Sequence, residues 1–70
     1  MSAIEIRMLV VDDDEDMRAT LVDFISKMRV KVRQAANLEE ARRLLGNDAD
    51  PYDIVITDLR LPDGNGLEVV

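Results

Sequence analysis

Cysteine, histidine and tryptophan are all missing from the 70-residue chain. Without cysteine there is no disulfide, no thiolate metal site and no thiol nucleophile. Without histidine, the commonest zinc ligand and the general base of histidine-dependent triads are gone. The aromatic side chains are Phe24 and Tyr52, too few for a platform that stacks single-stranded nucleic acid. Glycine and proline contribute only 3 and 2 residues, which excludes collagen-like and linker-like compositions. Positive charge is scarce too. Nine Lys and Arg stand against 15 acids, a net charge of −6, so direct binding to nucleic acid is not expected. No apolar run approaches the roughly 18 residues of a membrane span. The first residues place Glu5 where a secretion signal carries basic residues, and a cytoplasmic location is expected.

What is present is a folding composition, with 47% apolar and 34% charged residues. Seventy residues make at most one small domain, and a chain of that size buries only about 60% of its unfolded surface. With neither thiols nor imidazoles, any chemistry falls to the carboxylates.

Ile6 to Val11 (IRMLVV) is a short run of branched apolar residues, the pattern of a buried strand. An acidic block, Asp12 to Asp16, follows it. Met17, Leu21, Phe24, Ile25 and Met28 then recur as one stripe of a helix of about 14 residues, and the methionines Met8, Met17 and Met28 read as core filler. Arg29 to Arg33 (RVKVR) alternates charge with valine, which predicts a second strand at a sheet edge. Asn37 and Glu40 have the spacing of a capping box. Leu38, Ala41, Leu44 and Leu45 form the stripe of a second helix, and Gly46-Asn47 is its expected stop. Asp53 to Thr57 (DIVIT) is a third apolar strand. Leu61 to Gly66 is rich in turn residues, and Leu67 to Val70 suits a first turn of a further helix. The order β-α-β-α-β implies a parallel sheet with right-handed crossovers.

In an open parallel sheet, ligands bind outside the carboxyl ends of the strands. Asp12 and Asp13 follow the first strand directly and Asp58 follows the third. If those strands are neighbours, the three acids lie about 5 Å apart, and such a group is comfortable when ionised only beside a cation. Oxygen ligands alone suit a hard cation such as Mg²⁺. Asp14 to Asp16 read more simply as acids facing the positive end of the first helix. Asp12, Asp14, Asp16 and Asp23 also fall at EF-hand ligand spacing, but Met17 stands where that loop needs glycine.

VVDDDEDMRATL and, some 40 residues on, DIVITDLRLPDGNGLEVV resemble the N-terminal half of the receiver domain of bacterial two-component response regulators. The resemblance covers the whole chain. It implies a flavodoxin-like doubly wound α/β fold of strand order 2-1-3-4-5, with order 2-1-3 present here and strands 4 and 5 missing, so residues 1–70 are expected to be a truncated receiver domain. It implies that Asp58 is the phosphoacceptor. Asp13 and Asp58 would bind Mg²⁺ directly, Asp12 would assist through water, and the Arg60 backbone carbonyl would supply another oxygen. The implied phosphodonor is a sensor histidine kinase or histidine phosphotransfer protein, with no separate substrate and so no enzyme in the ordinary sense.

The third strand, left as a bare apolar edge, leads to a second expectation: a homodimer or swapped oligomer. The alternative function is separate: a truncated, non-signalling assembly or interaction fragment with an idle acidic site. Lys27, at the far end of the first helix, and Lys31, early in the second strand, are too distant to serve Asp58.

Overall fold

A computed structural model of the chain describes residues 5–47 and 51–69. Strand β1 (Ile6–Val11) leads into helix α1 (Glu15–Ser26), strand β2 (Val30–Ala35) and helix α2 (Leu38–Asn47). Strand β3 (Ile54–Thr57) follows, then a small hairpin of β4 (Arg60–Leu61) and β5 (Gly64–Asn65), and a 3₁₀ turn at Gly66–Val69. The main sheet is parallel, as the β-α-β-α-β pattern implies, and its order β2-β1-β3 is the one the family resemblance implies.

β1 lies in the middle because it is apolar on both faces, the mark of a strand covered on two sides. Its alternation sorts the core into two layers. Leu9 and Val11 pack with Ala35, Leu38, Ala41 and Leu61 on the α2 side. Met8 and Val10 pack with Ile25 of α1 on the other. Leu9, Val10 and Val11 are completely buried, worth about 1.5–3 kcal/mol each by transfer of the side chain out of water. β2 is an edge strand whose Lys31, Arg33 and Gln34 are exposed. It extends two residues past the expected RVKVR, since Gln34 and Ala35 pair with Val10 and Val11.

One expectation about the helices needs correction. The predicted stripe of α1 is rotated away from its packed face. Ile25 is buried and Leu21 and Val22 are half-buried against β1 and β2, whereas Met17, Phe24 and Met28 are 52%, 62% and 51% exposed. At 100° per residue, Leu21, Val22 and Ile25 define one arc and Met17 and Phe24 a flanking one, while Met28 lies beyond the end of α1. The apolar surface of α1 is wider than the sheet beneath it. Of the three methionines read as core filler, only Met8 is buried.

α2 ends at Asn47, the last residue of the expected Gly46-Asn47 stop. Neither adopts the positive φ of a glycine cap. Residues 48–50 lie outside the described residues, as does Val70, the last residue of the expected further helix.

At the amino end of the sheet, Asp53 ties β1 to β3. Its carboxylate accepts from the Arg7 N–H at 2.9 Å, and its own N–H donates to the Arg7 carbonyl at 2.8 Å. The Arg7 guanidinium lies 4.9 Å from the centre of the Tyr52 ring. This end is closed by structure, which leaves the carboxyl end for chemistry.

Candidate functional site

Val11 and Thr57, the last residues of β1 and β3, are partners in the parallel ladder. Whatever follows each strand leaves the sheet at the same edge. The ladder continues one step, with the Asp58 N–H donating to the Val11 carbonyl at 2.9 Å and the Asp12 N–H donating to the Ala35 carbonyl at 3.0 Å. The outcome is a cluster in which carboxylate oxygens of Asp12, Asp13 and Asp58 all lie within 4.8 Å of one another. Asp12 is half-buried, and Asp13 and Asp58 are exposed. The sequence places all three there, and the structure brings all three together.

The turn that carries the first two acids is built by its own side chains. Asp12 Oδ1 accepts from the Asp14 N–H at 2.9 Å and starts the reversal. Asp14 caps α1, its Oδ1 accepting from the Met17 N–H at 3.1 Å. Glu15 and Asp16 occupy the first helical turn, where negative charge is favourable. The acidic block thus divides into cap residues and cluster residues.

Asp58 is shaped from the other side. Its Oδ1 accepts from the Arg60 N–H at 3.3 Å. Beyond it the chain folds into the β4–β5 hairpin, with Pro62 and Asp63 at the turn. The Gly66 N–H donates to the Leu59 carbonyl at 3.0 Å. Because antiparallel pairs alternate between bonded and non-bonded, the next pair, Arg60 with Asn65, leaves the Arg60 carbonyl outside the ladder. Gly66 is required here: a Cβ would run into the Asp58 carbonyl oxygen and stand 2.8 Å from Thr57 Oγ1.

Three residues that support the backbone around the cluster are not marked as such in the sequence. Arg18 Nη1 donates to the Asp12 carbonyl at 2.7 Å, and its Nε donates to Gln34 Oε1 at 3.0 Å. Asp63 accepts from the Leu38 N–H at 2.7 Å and the Glu39 N–H at 2.9 Å. These bonds, the Leu38 amide first, hold its carboxyl below the ordinary aspartate value of 3.8, against the opposing effect of desolvation. Gly66 reads in the sequence only as a loop former. The lysines are engaged elsewhere, Lys27 with Asp23 at 3.8 Å and Lys31 with Glu5 at 3.3 Å.

Three carboxylates, all oxygen donors, fit a hard divalent cation and no softer metal. Of the three, Asp13 and Asp58 are both reachable from solvent.

Comparison with known proteins agrees in sequence and in shape. Residues 8–70 match the family model of the response regulator receiver domain. The chain is 45% identical over 62 residues to the response regulator protein PilR of Pseudomonas aeruginosa, covering 89% of this chain and 14% of that protein. The non-phosphorylated HemR receiver domain from Leptospira biflexa superposes with a TM-score of 0.81 at 38% identity, over 91% of this chain and 50% of that one. A response regulator receiver protein from Pseudomonas putida gives a TM-score of 0.83 at 31% identity, over 97% of this chain and 55% of the other. The chain therefore spans about half of each solved receiver and a smaller share of the curated relative.

Proposed function

The chain belongs to the response regulator receiver domain family, and on that premise we propose that Asp58 accepts a phosphoryl group in two-component signalling. The observation that carries the proposal is the convergence of Asp12, Asp13 and Asp58, their oxygens within 4.8 Å of one another at the ends of β1 and β3. Asp13 and Asp58 would hold Mg²⁺ directly, with Asp12 acting through water and the Arg60 carbonyl as a further oxygen. When bound, Mg²⁺ would offset the negative charge that opposes a carboxylate approaching a phosphoryl group.

In the reaction, a carboxylate oxygen of Asp58 attacks phosphorus. The bond from phosphorus to the imidazole nitrogen of a donor phosphohistidine breaks, and the products are an aspartyl phosphate and a free imidazole. A sensor histidine kinase or a histidine phosphotransfer protein supplies that donor. The Arg60 N–H holds Asp58 Oδ1, so the second oxygen is the one left for attack. The chain itself keeps the transferred phosphoryl group, so this is signal reception and not turnover of a separate substrate. A cytoplasmic setting, where such donors operate, fits the reading.

The test is direct. The chain is mixed with Mg²⁺ and a small acyl phosphate, and its mass is followed. A gain of one phosphoryl group, labile to hydroxylamine, dependent on Mg²⁺ and absent from Asp58→Asn, is the expected result. No gain in the folded wild-type chain refutes the reading.

A second reading is supported by β3, which has β1 on one side and no strand on the other among the described residues. Its Ile54, Val55 and Ile56 are each about 40% exposed. Such an edge pairs with another chain, and a homodimer or swapped oligomer through β3 would make the molecule an assembly element whose acids are idle. Phosphorylation of Asp58 separates the two readings.

A further inference from the structure

The hairpin between β3 and the 3₁₀ turn is fixed at both ends. Its base is Asp58, Leu59 and Gly66, closed by the Gly66 N–H to Leu59 carbonyl bond and the Arg60 N–H to Asp58 Oδ1 bond. Its tip, Pro62–Asp63, reaches across to the start of α2, where both oxygens of Asp63 accept backbone N–H groups. The contact is wider than one side chain. Leu61 of the hairpin is buried in the same cluster as Leu38, a Cβ on Gly64 would stand 2.7 Å from Leu38 Cδ2, and Glu68 lies 4.0 Å from Arg42 of α2.

The start of α2 has its own cap without Asp63. Asn37 Oδ1 accepts from the Glu40 N–H at 2.8 Å, and Asn37 Nδ2 donates to Glu40 Oε1 at 3.4 Å. That capping box leaves the Leu38 and Glu39 N–H groups without an intrahelical partner. Asp63, 25 residues away from Leu38, supplies both. The hairpin therefore hangs on α2 by its tip, with the acceptor aspartate at its base. A β4–β5 ladder of two residues per strand cannot hold its position alone.

We propose that Asp63 is a positioning residue for the Asp58 site: by fastening the hairpin tip to α2 it fixes where Asp58 and the Arg60 carbonyl stand relative to Asp12 and Asp13. The functional consequence rests on the phosphoacceptor reading, but the placement itself does not. Partners that orient metal ligands from outside the ligand set typically change affinity by about 10–100-fold when removed, and Asp63 belongs at the lower end, because Leu61 still packs on Leu38.

The experiment uses the full chain as wild type, Asp63→Ala, Asp63→Asn and Glu39→Gln. Hydrogen exchange at the Gly66 amide and the chemical shift of the Arg60 amide report the hairpin base directly. Mg²⁺ affinity and the rate of modification by an acyl phosphate report the site. The expected result is loss of Gly66 protection in Asp63→Ala with β1 amides unchanged, and about tenfold weaker Mg²⁺ binding. Asp63→Asn, which keeps one acceptor oxygen, falls between Asp63→Ala and wild type. Glu39→Gln removes an acid of the same sign beside the contact and behaves as wild type, which separates position from charge.

Wild-type exchange and affinity in Asp63→Ala overturn the proposal. If Asp63→Ala does not fold, wild-type Gly66 protection in Asp63→Asn overturns it instead. If the wild-type chain itself neither binds Mg²⁺ nor takes up phosphate, the functional reading fails, and exchange at Gly66 alone decides whether Asp63 holds the hairpin.

Discussion

Arg18 Nη1 donates a 2.7 Å hydrogen bond to the carbonyl of Asp12, so a side chain on the second turn of α1 fastens the backbone of the acidic turn. The same guanidinium reaches Gln34 on β2 through Nε at 3.0 Å. Asp12 is thus held on both sides, since its N–H already donates to Ala35. Replacing Arg18 with methionine keeps the aliphatic stem and deletes both bonds. The expected loss of stability in urea unfolding is about 1–2 kcal/mol, the range for a partly exposed hydrogen bond from a charged donor. Gln34→Ala removes only the outer bond and should cost less than half of that. Equal losses would place the value in the wrong bond.

Two glycines should respond in opposite senses to the same change. At Gly66 an added methyl meets the backbone of Asp58, which cannot move without opening the strand end, so Gly66→Ala is expected to lose about 1–3 kcal/mol. At Gly46, inside α2, nothing lies within 4 Å of the added Cβ, and alanine should gain about 0.5–1 kcal/mol by reducing unfolded-state freedom. Thermal unfolding of the two single variants decides both.

Acid should release the hairpin tip at a lower pH than an ordinary aspartate would. The pKa of Asp63 lies below 3.8 in the folded chain, so its contribution is complete above the normal carboxylate range and is lost as pH falls through the depressed value. The Leu38 and Glu39 amide resonances should therefore titrate together with a midpoint below 3.8. A midpoint above that value would show that the carboxylate does not hold these amides.

The free side of β3 predicts concentration-dependent association. Light scattering on the wild-type chain should show a mass that rises with concentration, and Ile54→Lys, at the most exposed of the three strand residues, should shift it towards monomer. A compact wild-type monomer at millimolar concentration would argue against pairing at this edge.

The parts of the molecule legible in its sequence are those written in neighbouring residues. β1 and β3 could be read because their apolar runs end abruptly at acids, β2 because charge alternates with valine, and the site because Asp12, Asp13 and Asp58 sit immediately after the two apolar runs. The cap that Asn37 makes to the Glu40 N–H is equally local and appears as expected, with Glu40 returning to the Asn37 side-chain amide. The rotation of α1 was not legible. An apolar arc broader than the sheet gives a period without saying which part of the arc is covered, so Phe24 and Ile25 look alike in the sequence and differ by 57 percentage points in exposure, 62% against 5%. Arg18 and Asp63 were not legible either. A charged residue in a helix or a loop carries no pattern, and their partners, on Gln34 and on Leu38 and Glu39, are known only once the chain has folded back.

The central position of β1 has a consequence during synthesis. Its first partner in β2, Val30, lies 24 residues beyond Ile6, and its first partner in β3, Ile54, lies 46 residues beyond Met8. At roughly 5–20 residues per second, the most apolar segment of the chain leaves the ribosome and waits about 1–5 s for one neighbour and twice that for the other. A run such as MLVV left unpaired for seconds is a site for wrong pairing with other nascent chains. The five acids from Asp12 to Asp16 are attached directly behind it, and their mutual repulsion guards the strand from its own copies until the sheet closes over it. Two residues of the acidic site, Asp12 and Asp13, thus belong to a block that, earlier in the life of the molecule, is expected to act against aggregation.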